Sequence, residues 1–379
     1  MSLVLNEDEQ MLKDAAAGFL ADKAPVSALR KLRDEHDAEG YSKTLWKEMA
    51  EMGWTGIAIP EAYGGLGYGY VGLGLVIEQM GRNLSVSPLM SSIATAASLV
   101  NIAGSEEQKQ DLLPRIASGN LLLALALQEG RHHAPEKTSL RATSNDNGYS
   151  LSGKKVAVLD AHVADTFIVA ARTDQQDNGE QGISLFLIDA NTAGLSTERV
   201  TMVDSRNSGN VILENVQVSD NQLIGNLHGG MIVLEKSLSI ANICLAAEML
   251  GISLQAYETT IEYLKQRTQF DAVIGSFQAL QHRAADMFAE LELCKSIVLA
   301  ALQAIDEDAE NLNLMAAGAK AKLCEVTERV TNEAIQMHGG IGMTDEFDMG
   351  FYIKRARVAQ QTFGGYSYQL DRFALLNGF

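Results

Sequence analysis

The sequence predicts a mixed α and β fold, in which an N-terminal helical domain is followed by a central β-sandwich or barrel domain and a C-terminal four-helix bundle. Helix-forming Ala, Leu, Glu, Gln and Met dominate both ends of the 379-residue chain, whereas Val, Ile, Thr, Gly and Asn concentrate between residues 121 and 225. Apolar residues recur at helical spacing on both sides of that segment. We expect domains at residues 1–120, 121–226 and 227–379.

The N-terminal domain is predicted from apolar positions three and four residues apart, such as Met11, Ala15 and Phe19. A glycine-rich stretch at residues 59–67 interrupts these helices. Its glycines fit either a tight structured turn or a flexible connector between helices.

The central domain is predicted from short apolar runs that polar turns separate. Five or more such strands are typical of a sandwich or barrel. The predicted strands cover residues 121–127, 156–159, 166–170, 183–188 and 211–213.

The C-terminal domain is predicted to begin after a glycine-containing turn at residues 225–230. Nearly continuous apolar faces indicate a bundle that packs against another subunit as well. The predicted helices cover residues 232–267, 276–306 and 311–338, with a last one from about residue 367.

Composition argues against several functions. The net charge of −18 argues against a nucleic-acid partner, because phosphate binding needs clustered Lys and Arg. Three cysteines without metal-ligand spacing favour a reducing compartment, and we expect a cytoplasmic protein with no membrane partner. His132, His133 and His338 lack acidic or cysteine partners at metal-binding spacing, so we expect no metal site.

Two motifs carry the chemistry. The segment RTQF at residues 267–270, with Gln278 beyond it, combines an arginine, an aromatic ring and amides where one helix ends and the next begins. An Arg paired with an acidic neighbour is the plainer interpretation. The segment QMHGGIG at residues 336–342 ends a helix in glycines, which allow close approach of a ligand or another chain.

Together and in order, these motifs resemble the acyl-CoA dehydrogenase family of flavoproteins over the whole chain. The resemblance implies FAD between the strand domain and the bundle, an acyl-CoA substrate, and electron-transfer flavoprotein or a similar acceptor. It also implies a homo-oligomer, or a hetero-oligomer with a paralogous subunit. The implied cofactor contacts are Arg267, Gln269, Phe270 and Gln278 from one chain and Gln336, Gly339 and Gly340 from its neighbour.

The strand domain departs from the family pattern. Where the family shows a Thr-Glu-Pro turn, this chain has Gln128 within LQEG, and where it shows Trp-Ile-Thr or Trp-Ile-Ser, this chain has Val158 and Leu159 after Ala157. Gln128, Val158 and Leu159 are therefore the predicted flavin contacts of this domain. The missing tryptophan removes one wall of the pocket, and Leu159 has no hydroxyl to donate.

The catalytic base of the family is also missing. The reaction needs a carboxylate that removes the α-proton while the flavin accepts a hydride. The two positions at which the family carries that glutamate are Gly364 and Ala241 here, so no catalytic residue is evident. Glu248 lies seven residues beyond Ala241, about 10 Å along a helix, and we interpret it and Glu235 as structural.

The chain most resembles the small subunits of heteromeric acyl-CoA dehydrogenases, such as the pimeloyl-CoA and steroid side-chain types, whose partner chain supplies the glutamate. Those chains often read Phe-Gly-Asp where this one reads Phe363-Gly364-Gly365. The leading hypothesis is a FAD-dependent acyl-CoA dehydrogenase subunit that acts with a partner chain. The alternatives are a non-catalytic scaffold subunit, or a flavin monooxygenase or oxidase on the same fold.

Overall fold

The computed structural model describes residues 3–174 and 181–379. Helices precede and follow a strand-rich segment, which confirms the predicted fold class. The helices before the strands are α1 (Glu7–Lys23), α2 (Val26–Asp34), α3 (Lys43–Glu51), α4 (Tyr70–Asn83), α5 (Ser98–Ala103) and α6 (Glu106–Ala117). A π-helical segment, Leu89–Ala97, leads into α5.

Local capping explains where the first helices begin. The Asn6 side chain accepts a hydrogen bond from the Glu9 backbone N–H, and Glu9 accepts one from the Asn6 N–H in return, which starts α1. Ser105 and Gln108 form the same capping box at α6. The glycine-rich stretch at residues 59–67 is a tight structured turn, because the Gly65 N–H donates to the Pro60 carbonyl at 3.2 Å.

The described strands of the central segment form one eight-stranded sheet in the order β6-β7-β3-β2-β4-β5-β8, with β1 paired to β4. The β1–β4 pair is parallel, and the long strands β3 and β7 are antiparallel. The strands are β1 (Leu123–Ala126), β2 (Arg141–Asn145), β3 (Gly148–Leu159), β4 (Thr166–Arg172), β5 (Ile183–Asp189), β6 (Leu195–Thr201), β7 (Asn207–Val218) and β8 (Leu223–Ile224).

The sheet core is built from buried side chains such as Leu151, Phe167, Phe186 and Val211. Strands β2 and β6 were not predicted, because their residues are mostly polar and exposed and show no apolar run. All five predicted strands overlap strands of the structure, namely β1, β3, β4, β5 and β7.

The C-terminal helices agree with the prediction to within about two residues at most ends. A two-stranded hairpin of β9 (Thr268–Gln269) and β10 (Ala272–Val273) separates the first two helices. The helices are α7 (Gly230–Gln266), α8 (Gln278–Asp306), α9 (Leu312–His338), α10 (Met349–Gln361) and α11 (Tyr366–Leu376). Helix α9 packs against α8, α10 and α11. Helix α10 was not predicted.

Helix α7 is long and apolar enough by composition to cross a membrane, and it is the only described helix that is. All of its most apolar window is buried inside the protein, as in the central helix of a bundle.

The chain divides into two compact units, each formed from separated segments. The helical unit comprises Met1–Asp34, Tyr70–Val86 and Asn242–Phe379, and the strand unit comprises Glu35–Gly69 and Ser87–Ala241. The domain boundaries predicted at residues 120 and 226 stay a prediction.

Candidate functional site

Four of the predicted cofactor contacts lie between α7 and α8: Arg267, Gln269 and Phe270 at the hairpin and Gln278 at the first position of α8. The Ile274 N–H donates to the Arg267 carbonyl at 2.8 Å and closes the hairpin, and Phe270 at its tip adopts a φ of 54°. Phe270 is 89% exposed, and its ring lies 6.4 Å from that of Phe277, next to Gln278 at the start of α8. The Arg267 guanidinium is exposed and has no ion-pair partner among the described residues. The plainer interpretation, an Arg paired with an acidic neighbour, is therefore not what the structure shows.

The end of α9 presents an open glycine pair. Gly339 has a φ of 63°, and a Cβ added at Gly339 or Gly340 would meet no atom within 4 Å. Gln336 is exposed on the last turn of the helix. The backbone here is therefore accessible to a ligand or to another chain.

His338 anchors this helix end. Its ring lies 4.4 Å from the Tyr263 ring and 4.7 Å from the Phe347 ring, and its Nδ1 donates to the Ala334 carbonyl at 2.7 Å. Burial lowers the pKa of His338 although the Ala334 hydrogen bond opposes the shift. A buried, neutral histidine that packs between two rings fits a structural role.

In the strand unit, the predicted contacts lie on two backbone segments joined by a hydrogen bond. The Val156 N–H donates to the Gln128 carbonyl at 2.7 Å. The β3–β7 register shifts between Lys155 and Val158, and Ala157 at this bulge has a φ of 52°. A bulge re-aims the residues that follow it. Val158 is buried and Leu159 is half-buried.

A buried ion pair holds these two segments together. Lys155 Nζ lies 2.6 Å from Glu129 Oε1 and donates to the Leu127 carbonyl at 3.1 Å. Burial lowers the pKa of Lys155 to about 8 despite the attraction of Glu129. Burial would raise the pKa of Glu129, but Lys155 and the hydrogen bonds from Ser139 and Leu140 outweigh it, so that pKa is lowered. Both groups are charged at neutral pH, and the pair fixes the turn against β3.

Gly364, the first of the two predicted base positions, has no room for a side chain unless Tyr368 shifts. Its φ is 99°, in the region that favours glycine, and the residue is buried. A Cβ added there would overlap Cδ1 of Tyr368 and approach Gln369 Nε2 at 3.0 Å. A glutamate at this position would therefore require the Tyr368 side chain to move.

Ala241, the second predicted base position, lies within α7 and is fully buried. The next residue, Asn242, is 6% exposed, and its Nδ2 donates to the Phe363 carbonyl at 3.3 Å. Ala241 has ordinary helical geometry, so a longer side chain would meet no backbone strain there.

The loop that carries Gly364 is held from several sides. Gln369 Nε2 donates to the Phe363 carbonyl at 2.9 Å. Lys320 on α9 is fully buried, and its Nζ donates to the carbonyls of Ala359 at 2.6 Å and Thr362 at 3.2 Å. A cation at a helix C-terminus satisfies unpaired carbonyls and favours the helix dipole. Lys320 thus ends α10 and fixes the start of the loop.

Glu248, which lies seven residues beyond Ala241 on α7, forms an ion pair with Arg355. Its Oε1 and Oε2 accept hydrogen bonds from Arg355 Nε at 2.8 Å and Nη2 at 2.6 Å. Both residues are almost fully buried. This bidentate pair links α7 to α10 and supports the structural interpretation of Glu248.

Sequence reasoning missed Lys155, Glu129, Lys320 and Arg355. A lysine or arginine within an otherwise apolar run is a signal that could have found them, because such a cation is buried only with partners. The partner cannot be read from such a run, since it lies 26 residues away for Lys155 and 107 for Arg355.

Comparison with known proteins gives consecutive matches to family models. The models of the acyl-CoA dehydrogenase N-terminal, middle and C-terminal domains match residues 6–120, 127–216 and 228–374. The Bacillus subtilis protein named "Probable acyl-CoA dehydrogenase YngJ" is 31% identical over 368 residues, which cover 95% of each chain.

Solved structures agree with this result. A variant of the Tcur3481-Tcur3483 steroid ACAD is 31% identical, with a TM-score of 0.87 over 98% of each chain. A chain of the ChsE4-ChsE5 complex from Mycobacterium tuberculosis is 25% identical, with a TM-score of 0.89 over 100% of each chain.

Proposed function

Because the chain belongs to the acyl-CoA dehydrogenase family, we propose that it is the FAD-binding subunit of a heteromeric dehydrogenase whose paralogous partner chain supplies the catalytic glutamate. Family membership makes it an oxidoreductase of the acyl-CoA dehydrogenase type with FAD as cofactor. The partner and its glutamate are the proposal.

The main observation behind this proposal is that neither base position carries a carboxylate. Removal of an α-proton requires a carboxylate within hydrogen-bonding reach of the substrate. Ala241 and Gly364 offer none, and the φ of 99° at Gly364 together with the nearby Tyr368 ring suits glycine rather than glutamate. Glu248 does not replace them, because both of its oxygens bind Arg355.

The residues present fit FAD. The uncommitted Arg267 guanidinium offers paired donors to a pyrophosphate, and the exposed Phe270 ring offers a flat apolar surface beside it. The open Gly339-Gly340 backbone allows close approach of a neighbour's cofactor. In the strand unit, the bulge at Ala157 leaves backbone groups for a flavin edge in place of the missing hydroxyl. Bound FAD would supply a two-electron acceptor.

Two features support an oligomer and a bulky substrate. Phe270, Met343 and Phe379 are exposed apolar side chains of the helical unit, which favours burial against further chains. Ala241 is small where some members of the family carry a glutamate. With the likeness to a steroid ACAD, this small residue favours a sterol-derived or dicarboxylic acyl-CoA, with electron-transfer flavoprotein or a similar protein as acceptor.

The test is the visible spectrum of the purified chain, followed by anaerobic titration with acyl-CoAs. We expect a bound-flavin spectrum that stays oxidised with the chain alone and bleaches when the paralogous partner is added. Bleaching with the chain alone would contradict the missing base. Failure to bind FAD after incubation would instead favour the scaffold subunit, and rapid reoxidation by air with a flavin-oxygen adduct would favour a monooxygenase or oxidase.

A second test introduces the base. Ala241→Glu should gain turnover in the isolated chain, whereas Ala241→Gln, the control of matched size, should not. Gly364→Glu should gain none, because its side chain displaces Tyr368. Flavin binding by Ala241→Glu without any turnover would mean that more than the base is missing.

A further inference from the structure

A buried hydrogen-bond acceptor lies unused next to the vacant base positions. The Asn242 side chain is 6% exposed, and its Nδ2 donates to the Phe363 carbonyl. Its Oδ1 is buried and accepts no hydrogen bond from any described residue. A buried acceptor without a donor costs about 1–3 kcal/mol. Native proteins usually pair such atoms with a ligand or an ordered water.

Holding the loop does not explain this asparagine. The Phe363 carbonyl already accepts a hydrogen bond from Gln369 Nε2 at 2.9 Å, which is shorter than the 3.3 Å bond from Asn242. An apolar side chain of the same size would fill the volume beside the loop and leave no orphaned oxygen. The amide therefore adds an acceptor that the fold itself does not need.

The chemistry of the acceptor restricts its partner. An amide oxygen only accepts hydrogen bonds, so it pairs with a hydroxyl and disfavours a carboxylate or a ketone at the same place. The adjacent residues, Ala241 and Gly364, bring no side-chain donor. On the proposed function, the acyl chain near its thioester is what comes to these positions.

We propose that Asn242 Oδ1 accepts a hydrogen bond from a hydroxyl group on the acyl chain, within two carbons of the thioester, and thereby selects hydroxylated acyl-CoA over its unsubstituted analogue. This inference rests on the proposed function and narrows its substrate class. Sites that hydrogen-bond a substrate hydroxyl reject the analogue that lacks it far more strongly than apolar pockets reject a methylene.

The test is calorimetric binding of butyryl-CoA, 2-hydroxybutyryl-CoA and 3-hydroxybutyryl-CoA to the FAD-loaded full chain. A chain without a base binds these ligands without consuming them, so the affinities are equilibrium values. We expect one hydroxylated ligand to bind at least about tenfold more tightly than butyryl-CoA. Asn242→Leu should abolish that preference, so that the hydroxylated ligand and butyryl-CoA bind within about threefold of each other.

The matched control is Gln369→Leu, which removes the other amide that holds the Phe363 carbonyl and leaves Asn242 Oδ1 in place. It should keep the preference. Loss of the preference in both variants would show that Asn242 only supports the loop, and its absence in the unmodified chain would overturn the inference even if Asn242→Leu failed to fold. No binding of either hydroxylated ligand by the flavin-loaded chain would also overturn the inference, whereas failure of the chain to take up FAD would overturn the proposed function, which keeps the two failures distinguishable.

Discussion

Two regions beside α7 differ in which groups of the proposed site they contain. After its C-terminal end, the hairpin contains Arg267, which has no ion-pair partner among the described residues, and the exposed Phe270, the groups proposed to bind FAD. Around Asn242 and the loop at Gly364, the supporting hydrogen bonds are present, but no carboxylate occupies either predicted base position. On the proposed function, this chain would bind the cofactor and leave proton removal to its partner.

The loop around Gly364 is nevertheless held in place by several buried side chains. Lys320, Gln369 and Asn242 all donate to its carbonyls or to those just before it, and the Arg355–Glu248 pair ties α10 to α7. The loop thus differs from the hairpin in lacking one proposed functional group, the carboxylate of the base. The following substitutions test that comparison.

The largest effect is expected at the buried ion pair. Arg355→Met leaves the Glu248 carboxylate buried without its partner, which should lower the free energy of unfolding by about 3–5 kcal/mol. Urea unfolding followed by circular dichroism measures it. The control on the same helix is Arg357→Met, whose exposed pair with Glu328 should contribute less than about 1 kcal/mol. Equal losses in the two variants would mean that α10 is not held to α7 through Glu248.

A smaller effect is expected in the loop itself. Gly364→Ala should lower the free energy of unfolding by about 2–3 kcal/mol, because it combines a positive φ with overlap against Tyr368. Gly350→Ala in α10 is the control, since its Cβ meets no atom within 4 Å. Because Gly350 lies in the first turn of α10, the substitution should change the free energy of unfolding by less than about 0.5 kcal/mol. A neutral Gly364→Ala would show that the loop is free to rearrange and could accept a glutamate.

The amino-acid sequence was sufficient to predict the helices whose apolar residues recur at regular spacing. Apolar periodicity predicted α7, α8 and α9, because each buries a long continuous face. It missed α10, where Arg355 and Gln360 occupy buried positions and break the apolar pattern. Apolar periodicity identifies a helix when its buried residues are hydrophobic. Helix α10 also buries charged and polar residues, which are held by hydrogen bonds and an ion pair, so the apolar pattern does not identify it.

For the candidate site, the sequence predicted only which residue types occupy the positions that match the family's motifs. The absence of a glutamate at Gly364 and Ala241 can be read directly from the sequence. That Gly364 could not easily accept one depends on its φ and on Tyr368, which no local pattern encodes. The same holds for Asn242, whose unpaired oxygen is defined only by the three-dimensional surroundings.

Lys320 provides a pH-dependent test of how the loop is held. Burial, and to a lesser degree Arg355, lowers the pKa of Lys320 to about 8, while Cys324 and Glu248 oppose the shift. Between about pH 8 and 10.5, the unfolded chain binds the proton more tightly than the folded one, so stability from this group rises with pH. The stability of the unmodified chain relative to Lys320→Met should therefore grow by about 1–3 kcal/mol over that range.

The control for this measurement is Lys322→Met on the same helix. Burial would lower the pKa of Lys322, but Glu290 and Glu325 raise it overall, so its contribution should stay constant up to about pH 10. Urea unfolding of the three proteins at pH 7.5, 8.5 and 9.5 gives the comparison. A constant difference for Lys320→Met would show that the lysine is not charged and buried as the structure has it.

The smallest effect is expected at the hairpin. Arg267→Met should weaken FAD binding about tenfold, because it removes a charge-assisted pair of donors. It should leave the free energy of unfolding of the FAD-free chain within about 0.5 kcal/mol, since the exposed side chain has no ion pair. Lys265→Met, which removes only a surface pair with Glu262, is the control. Fluorescence titration of FAD measures the affinity.

An unchanged FAD affinity for Arg267→Met would show that Arg267 does not bind the cofactor. The hairpin and the loop would then no longer differ in whether they retain a functional group.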